Sequence, residues 1–205
     1  MALKTVPERE SSFRFKQFEL KQEKCAMKIG TDGVLLGAWA AVDTVRNVLD
    51  IGTGTGVIAI MLGQRIEEAF IHGIEIDQAA FEEARENMNG APWANRLEAF
   101  HSSIQDYARQ TEQRYDLIIS NPPFFSGGTF AEDERRSMVR HAVKMPHGDL
   151  LRAARGLLRK QGRFCVILPY IEGLRFQELA QQYRLYPQKT TEVRSRVNKP
   201  LAALN

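Results

Sequence analysis

Short apolar runs alternate along the chain with stretches in which apolar residues recur every three or four positions. The runs over 45–51, 70–76, 97–101, 116–120 and 163–168 predict strands, and the helical period predicts helices over about 56–66, 78–90, 148–160 and 171–184. LIIS and FCVIL are apolar throughout rather than alternating, as parallel strands covered on both faces must be. The predicted class is therefore α/β, a doubly wound, mostly parallel sheet with helices on both faces. Both ends depart from this plan. Phe13, Phe15 and Phe18 suggest a strand or hairpin within residues 1–28, set apart as a basic arm from a main domain over 29–205. The closing KTTEVRSRVNKPLAALN holds one strand-like segment without an obvious partner, so the C-terminal hairpin reads as incomplete and an edge as unpaired. Residues 126–147, with Gly127-Gly128 and mixed charge, suggest a long loop or short helix.

With 205 residues, 43% of them hydrophobic, the chain is long enough for one domain with a real core. No apolar run approaches the ~20 residues of a membrane span, and the charged start MALKTVPERESSFRF lacks a signal segment. Cys25 and Cys165 have no ligand-like spacing, which argues for a reduced, cytoplasmic setting without metal or disulfide. The net charge of +3 hides an asymmetry: residues 29–130 carry 6 Lys/Arg against 14 Asp/Glu, and the two flanks carry 22 against 11. An acidic centre between basic arms suggests two partners, one of them polyanionic.

The first main strand runs into LDIGTGTGVIAI, where Gly52, Gly54 and Gly56 allow a tight turn against a ligand, with Thr53 between them. Asp50 at the strand end can orient a cation or hydroxyl. The dinucleotide fingerprint needs glycine where Val57 stands, so the turn favours a nucleoside without phosphate over a pyrophosphate. The next strand ends in GIEID, which places Glu75 to accept ribose hydroxyls beside Ile76. Asp77 reads as a helix N-cap. In HSSIQDY, Ser103 and Ile104 stand at the third strand end, where an adenine ring would be bonded and sandwiched.

The fourth strand ends in ISNPPFF. Amines conjugated to a ring or carbonyl are weak nucleophiles, and two acceptors aimed at their N–H bonds raise electron density on nitrogen as it reacts. Asn121 offers a side-chain carbonyl, Pro122 a backbone carbonyl, Pro123 rigidity, and Phe124 a face on which a planar base can stack.

The combination LDIGTGTG, GIEID and NPPF resembles the Rossmann-like class I S-adenosylmethionine-dependent methyltransferases, and NPPF their amino-methylating members, more often written with Tyr at the fourth position. FKQFELKQEKCAMKIGTDGVLLGAWA, with APWANRLEAFHSSIQDY, YDLIISNPPFF and RFCVILP, is similar to the bacterial tRNA(Val) (adenine-N6)-methyltransferases, which modify the adenine 3′ of the anticodon. The resemblance implies S-adenosylmethionine as cofactor and N6-methyladenosine in tRNA as product. It also implies that Thr31 and Asp32 lie near the cofactor's methionine end and that Lys28 helps close the site. Ser103 stands where this family usually has an acidic residue.

Arg135, Arg136 and Arg140 follow the hook and suit RNA phosphates beside an extruded base. Arg152, Arg155 and Arg159 read as one face of a helix. A monomer acting on tRNA is expected. The hook alone does not separate adenine from the glutamine amide of release factors, or RNA from DNA adenine. From other classes, a nicotinamide-dependent oxidoreductase and a non-catalytic RNA-binding module remain open.

Overall fold

A computed structural model describes residues 12–123 and 146–194 and the backbone of 202–204. The strands are β1 (Ser12–Arg14), β2 (Glu19–Lys21), β3 (Asn47–Ile51), β4 (Phe70–Glu75), β5 (Leu97–His101), β6 (Tyr115–Ser120), β7 (Leu158–Pro169), β8 (Thr191–Val193) and β9 (Ala202–Leu204). The helices are α1 (Thr31–Trp39), α2 (Val57–Arg65), α3 (Gln78–Gly90), α4 (Ile104–Gln110), α5 (His147–Leu157) and α6 (Tyr170–Gln182). Seven strands form one sheet in the order β5-β4-β3-β6-β7-β9-β8. From β5 to β7 every pairing is parallel, and β9 joins β7 and β8 antiparallel.

Alternate residues of these strands feed two apolar cores. Val48, Ile71, Leu117, Ile119 and Ile167 pack with α1 and α2 residues such as Leu36, Ile58 and Leu62. Leu49, Ile74, Ile118, Val166 and Leu168 face the other way, onto Ile104, Leu150, Leu151, Leu157 and Phe176 of α4, α5 and α6. This is the doubly wound, mostly parallel architecture that unbroken apolar strands predict. A buried polar cluster steadies α4. His72 Nδ1 lies 3.1 Å from the Tyr107 hydroxyl and 2.8 Å from that of Tyr115, and burial lowers the His72 pKa.

Four features differ from the sequence expectation. First, α1 has no amphipathic stripe and contains two glycines, yet it is a helix. Gly37 lets it approach α2, since a Cβ there would sit 3.1 Å from Met61 Sδ. Second, α4 is too short to announce itself by period. Third, α5 stops at Leu157 and β7 starts at once. Its register on β6 jumps between Tyr115↔Leu158 and Leu117↔Arg163, around Gln161 at φ 69°. Arg159 therefore leaves the helix face assigned to it and pairs with Asp116 at 3.1 Å. Fourth, the C-terminal strand does have a partner: Ala202–Leu204 lies between β7 and β8, pairing with both. Three residues after a Pro-containing, charged stretch were too few to show a strand period.

The N-terminal aromatics form the β1–β2 hairpin, with Phe13↔Leu20 in register. Phe15 stacks on Phe18 at 4.4 Å, and Phe18 meets Trp93 edge-on at 5.7 Å. No helix among the described residues is long and apolar enough to cross a membrane.

Candidate active site

The carboxyl ends of β3, β4, β5 and β6 converge on one cleft. Parallel strands place such a crevice where neighbouring connections leave in opposite directions, here between β3 and β6. Ile51 and Ser120 are in register across that boundary, and the Ser120 hydroxyl donates to the Ile51 carbonyl at 2.8 Å. That bond ties the glycine turn after β3 to the hook after β6.

The turn itself has three left-handed glycines, Gly52 (φ 71°), Gly54 (57°) and Gly56 (83°). Gly52 and Thr53 donate their amides to the Ile74 carbonyl at 2.9 and 3.0 Å, which folds the turn over β4. Glu75 is buried and thoroughly oriented: one carboxylate oxygen accepts from Gly54 N (3.0 Å), the other from Ile76 N (2.8 Å) and Asp77 N (3.0 Å). Asp77 caps α3 as expected, accepting from Ala80 N at 3.0 Å, and its residue also lines the cleft.

Of the residues singled out from sequence, Lys28, Gly52, Thr53, Gly54, Glu75, Ile76, Ser103, Ile104, Asn121 and Pro123 line this one cleft. Gly56 sits behind the turn as the N-cap of α2. Thr31 and Asp32 form the first turn of α1, between Gly30 and Gly33 of the cleft wall, and burial raises the Asp32 pKa. Asp50 lies beneath the turn. It accepts the Thr53 hydroxyl at 2.7 Å, so its hydroxyl partner comes from the protein itself. Burial pushes its carboxyl up to about 7, and the charge of Glu75 adds to the effect. Ser103 caps α4, its oxygen accepting from Asp106 N at 3.1 Å while its proton goes to the Asp106 carboxylate at 2.6 Å. Pro122, between Asn121 and Pro123, is buried. Phe124, Arg135, Arg136 and Arg140 lie outside the described residues.

Asn121 carries the most telling feature. Its side-chain oxygen is buried and has no hydrogen-bond partner among the described residues. A buried amide carbonyl left unbonded costs about 1–3 kcal/mol.

One wall was not foreseen in full. Residues 25–30 cross the cleft as a strap, of which only Lys28 was anticipated. The signal lay in α3, where Glu83 and Asn87 interrupt a buried stripe made by Ala80, Ala84 and Met88. Polar residues inside an apolar stripe must find partners. Theirs are on the segment leading into the strap.

The model of the methyltransferase small domain family matches residues 27–169. The chain belongs to that family. A relative from Flavobacterium johnsoniae named tRNA1(Val) (adenine(37)-N6)-methyltransferase is 46% identical over 89% of this chain and 78% of its own length. One of the same name from Cronobacter sakazakii is 40% identical over 97% of this chain and 82% of its own. The family membership and these relatives agree with the resemblance carried by NPPF and the N-terminal motif. Among solved structures, TrmN from Thermus thermophilus superposes with a TM-score of 0.56 at 19% identity, covering 84% of this chain and 46% of that one. The ribosomal protein L11 methylase from Lactobacillus delbrueckii gives 0.56 at 16% identity, covering 84% and 75%. At these identities the likeness is one of fold, and it confirms the Rossmann-like methyltransferase architecture.

Proposed function

We propose that the protein transfers a methyl group from S-adenosylmethionine to the exocyclic N6 amine of an adenine in tRNA, the base 3′ of the anticodon in tRNA1(Val). The observation that carries this reading is the buried side-chain carbonyl of Asn121, without a hydrogen-bond partner among the described residues, in the same cleft as the glycine turn and the Glu75 carboxylate.

The cleft fits the cofactor. After its three amide bonds Glu75 keeps a lone pair, on the oxygen that accepts only from Gly54 N, for a ribose hydroxyl. Ile76 and Ile104 offer apolar surface to an adenine ring, and Ser103 retains an acceptor lone pair for its amine. A neutral hydroxyl makes a weaker bond there than the acidic residue usual in the family. Thr31, Asp32 and Lys28 stand toward the methionine end. S-adenosylmethionine, when bound, supplies an electrophilic methyl group on sulfur.

On the substrate side, Asn121 accepts one N–H of the target amine and the Pro122 carbonyl accepts the other. Both bonds strengthen as nitrogen becomes positive, which is stabilisation of the transition state over the ground state. Pro122 and Pro123 hold these acceptors still, because neither φ can turn. Phe124 supplies the stacking plane for an adenine drawn out of its stack, and Arg135, Arg136 and Arg140 hold the neighbouring phosphates. The proton lost from nitrogen goes to water. We place the activity in the cytoplasm, in a monomer, with residues 1–28 as an arm on a methyltransferase domain over 29–205.

The test is incubation with labelled S-adenosylmethionine and tRNA lacking native modification, followed by nuclease mapping. Label is expected in N6-methyladenosine beside the anticodon. Label on a glutamine of added release factor, or none on RNA, would overturn the reading. Asn121→Ala should lower kcat by roughly 10²–10³, the usual cost of removing one preorganised transition-state partner, while cofactor affinity stays within about twofold. Near-normal turnover in that variant would remove Asn121 from the mechanism.

A further inference from the structure

Glu83 is a carboxylate 1% exposed, and Asn87, one turn on, is 5% exposed. Removing such groups from water costs several kcal/mol unless every lone pair and proton is met. Glu83 meets this with three consecutive backbone amides: Glu23 N at 2.6 Å and Lys24 N at 2.8 Å on one oxygen, Cys25 N at 2.9 Å on the other. Asn87 accepts from Lys21 N at 2.8 Å and donates to Lys21 O at 2.9 Å and to Thr55 O at 2.8 Å.

These bonds join three segments at α3, beside the ion pairs of Lys21 and Lys24 with Glu86. Lys21 ends the hairpin, Thr55 belongs to the glycine turn, and Glu23–Cys25 lead into the strap. The strap is closed on itself, with Gln22 Oε1 accepting from Ile29 N at 3.1 Å and Lys28 donating to the Gln22 carbonyl. It has no helix or strand of its own between Gln22 and Gly30. Its reach over the cleft is therefore set by where α3 holds its base. Cys25 Sγ would stand 3.6 Å from a Cβ at Gly54, so strap and glycine turn face each other directly.

We propose that Glu83, assisted by Asn87, is a positioning residue that fixes the spacing between the strap and the glycine turn, and so sets cofactor affinity without touching the cofactor. An apolar stripe on α3 would serve packing equally well. A carboxylate taking three successive amides instead selects one conformation of an irregular segment. This rests on the reading of the cleft as the S-adenosylmethionine site.

The experiment is calorimetric titration of the full chain with S-adenosylmethionine, alongside steady-state kinetics on tRNA. Glu83→Gln keeps the shape but turns an N–H donor toward the strap amides, and Glu82→Gln removes a neighbouring charge from the outer face. Expected are a Kd raised tenfold or more in Glu83→Gln, kcat at saturating cofactor within threefold of the parent, and Glu82→Gln within twofold in both. A Glu83→Gln variant that folds and binds within twofold of the parent overturns the proposal. Should that variant not fold, hydrogen exchange on the parent decides. The amides of Glu23, Lys24 and Cys25 are expected to slow at least threefold further on adding S-adenosylmethionine, and unchanged rates refute the coupling. If the parent itself binds no S-adenosylmethionine, the cofactor reading fails and this inference with it, a result distinct from equal binding by both proteins.

Discussion

Asp50 carries a testable consequence of being fully buried. Burial outweighs the hydrogen bond from the Thr53 hydroxyl, so the carboxyl is pushed up to about 7. The free chain ionises the same group near 3.8. Between these values the folded protein holds a proton that the unfolded chain has lost. The stability this confers is complete below about pH 4 and disappears as pH rises through 7. Asp50→Asn removes the titration while its side-chain oxygen still accepts from Thr53. Thermal melts should show the parent losing more stability between pH 5 and 8 than the variant, by on the order of 1–4 kcal/mol. Parallel pH profiles would mean that Asp50 does not titrate there. At this scale the candidate site was largely legible. Glu75 and Asn121 stand out because a carboxylate and an amide at the ends of apolar strands must find polar partners. The commitments of Ser103 and Asp50 to Asp106 and Thr53 were not legible, since a residue type does not say which of its lone pairs are taken.

Elements were read well where they were long and periodic, as for α3, and poorly where another element decided them. Helix α1 forms against α2 although its own pattern is flat, and α5 yields to β7 because pairing with Tyr115 begins at Leu158. The junction between α2 and the α3–β5 connection shows how tightly such contacts are drawn. Trp93 donates its indole N–H to the Ile60 carbonyl at 2.9 Å and lies over Gly63, where a Cβ would fall 2.3 Å from the ring. The hydrogen bond and the edge contact with Phe18 leave that ring nowhere to move. Gly63→Ala should therefore destabilise the protein by about 1–3 kcal/mol in chemical denaturation, the range for overpacking. Gly90→Ala, with no atom within 4 Å of the added carbon, should be neutral or slightly stabilising. Equal stability of the two variants would refute this account of the junction.

For the whole molecule, the proposed function makes the charge division a partner division. Most of the cleft lining comes from the acidic central segment, which suits a cationic sulfonium, while the basic flanks suit a polyanion. The tRNA affinity should then fall by roughly tenfold or more between about 50 and 200 mM salt as condensed counterions are released. The affinity for S-adenosylmethionine should change by less than about twofold over the same range. Similar salt slopes for the two ligands would contradict the division. What the sequence determined by itself was the layered sheet and which residues stand at its strand ends, because strands apolar on both sides must be covered twice and their carboxyl ends then share one crevice. The tertiary structure alone decided how the crevice is walled. The bonds from Glu83 and Asn87 to the strap's base join residues 58 to 66 positions apart, and a polar residue in an apolar stripe announces that it needs a partner without naming one.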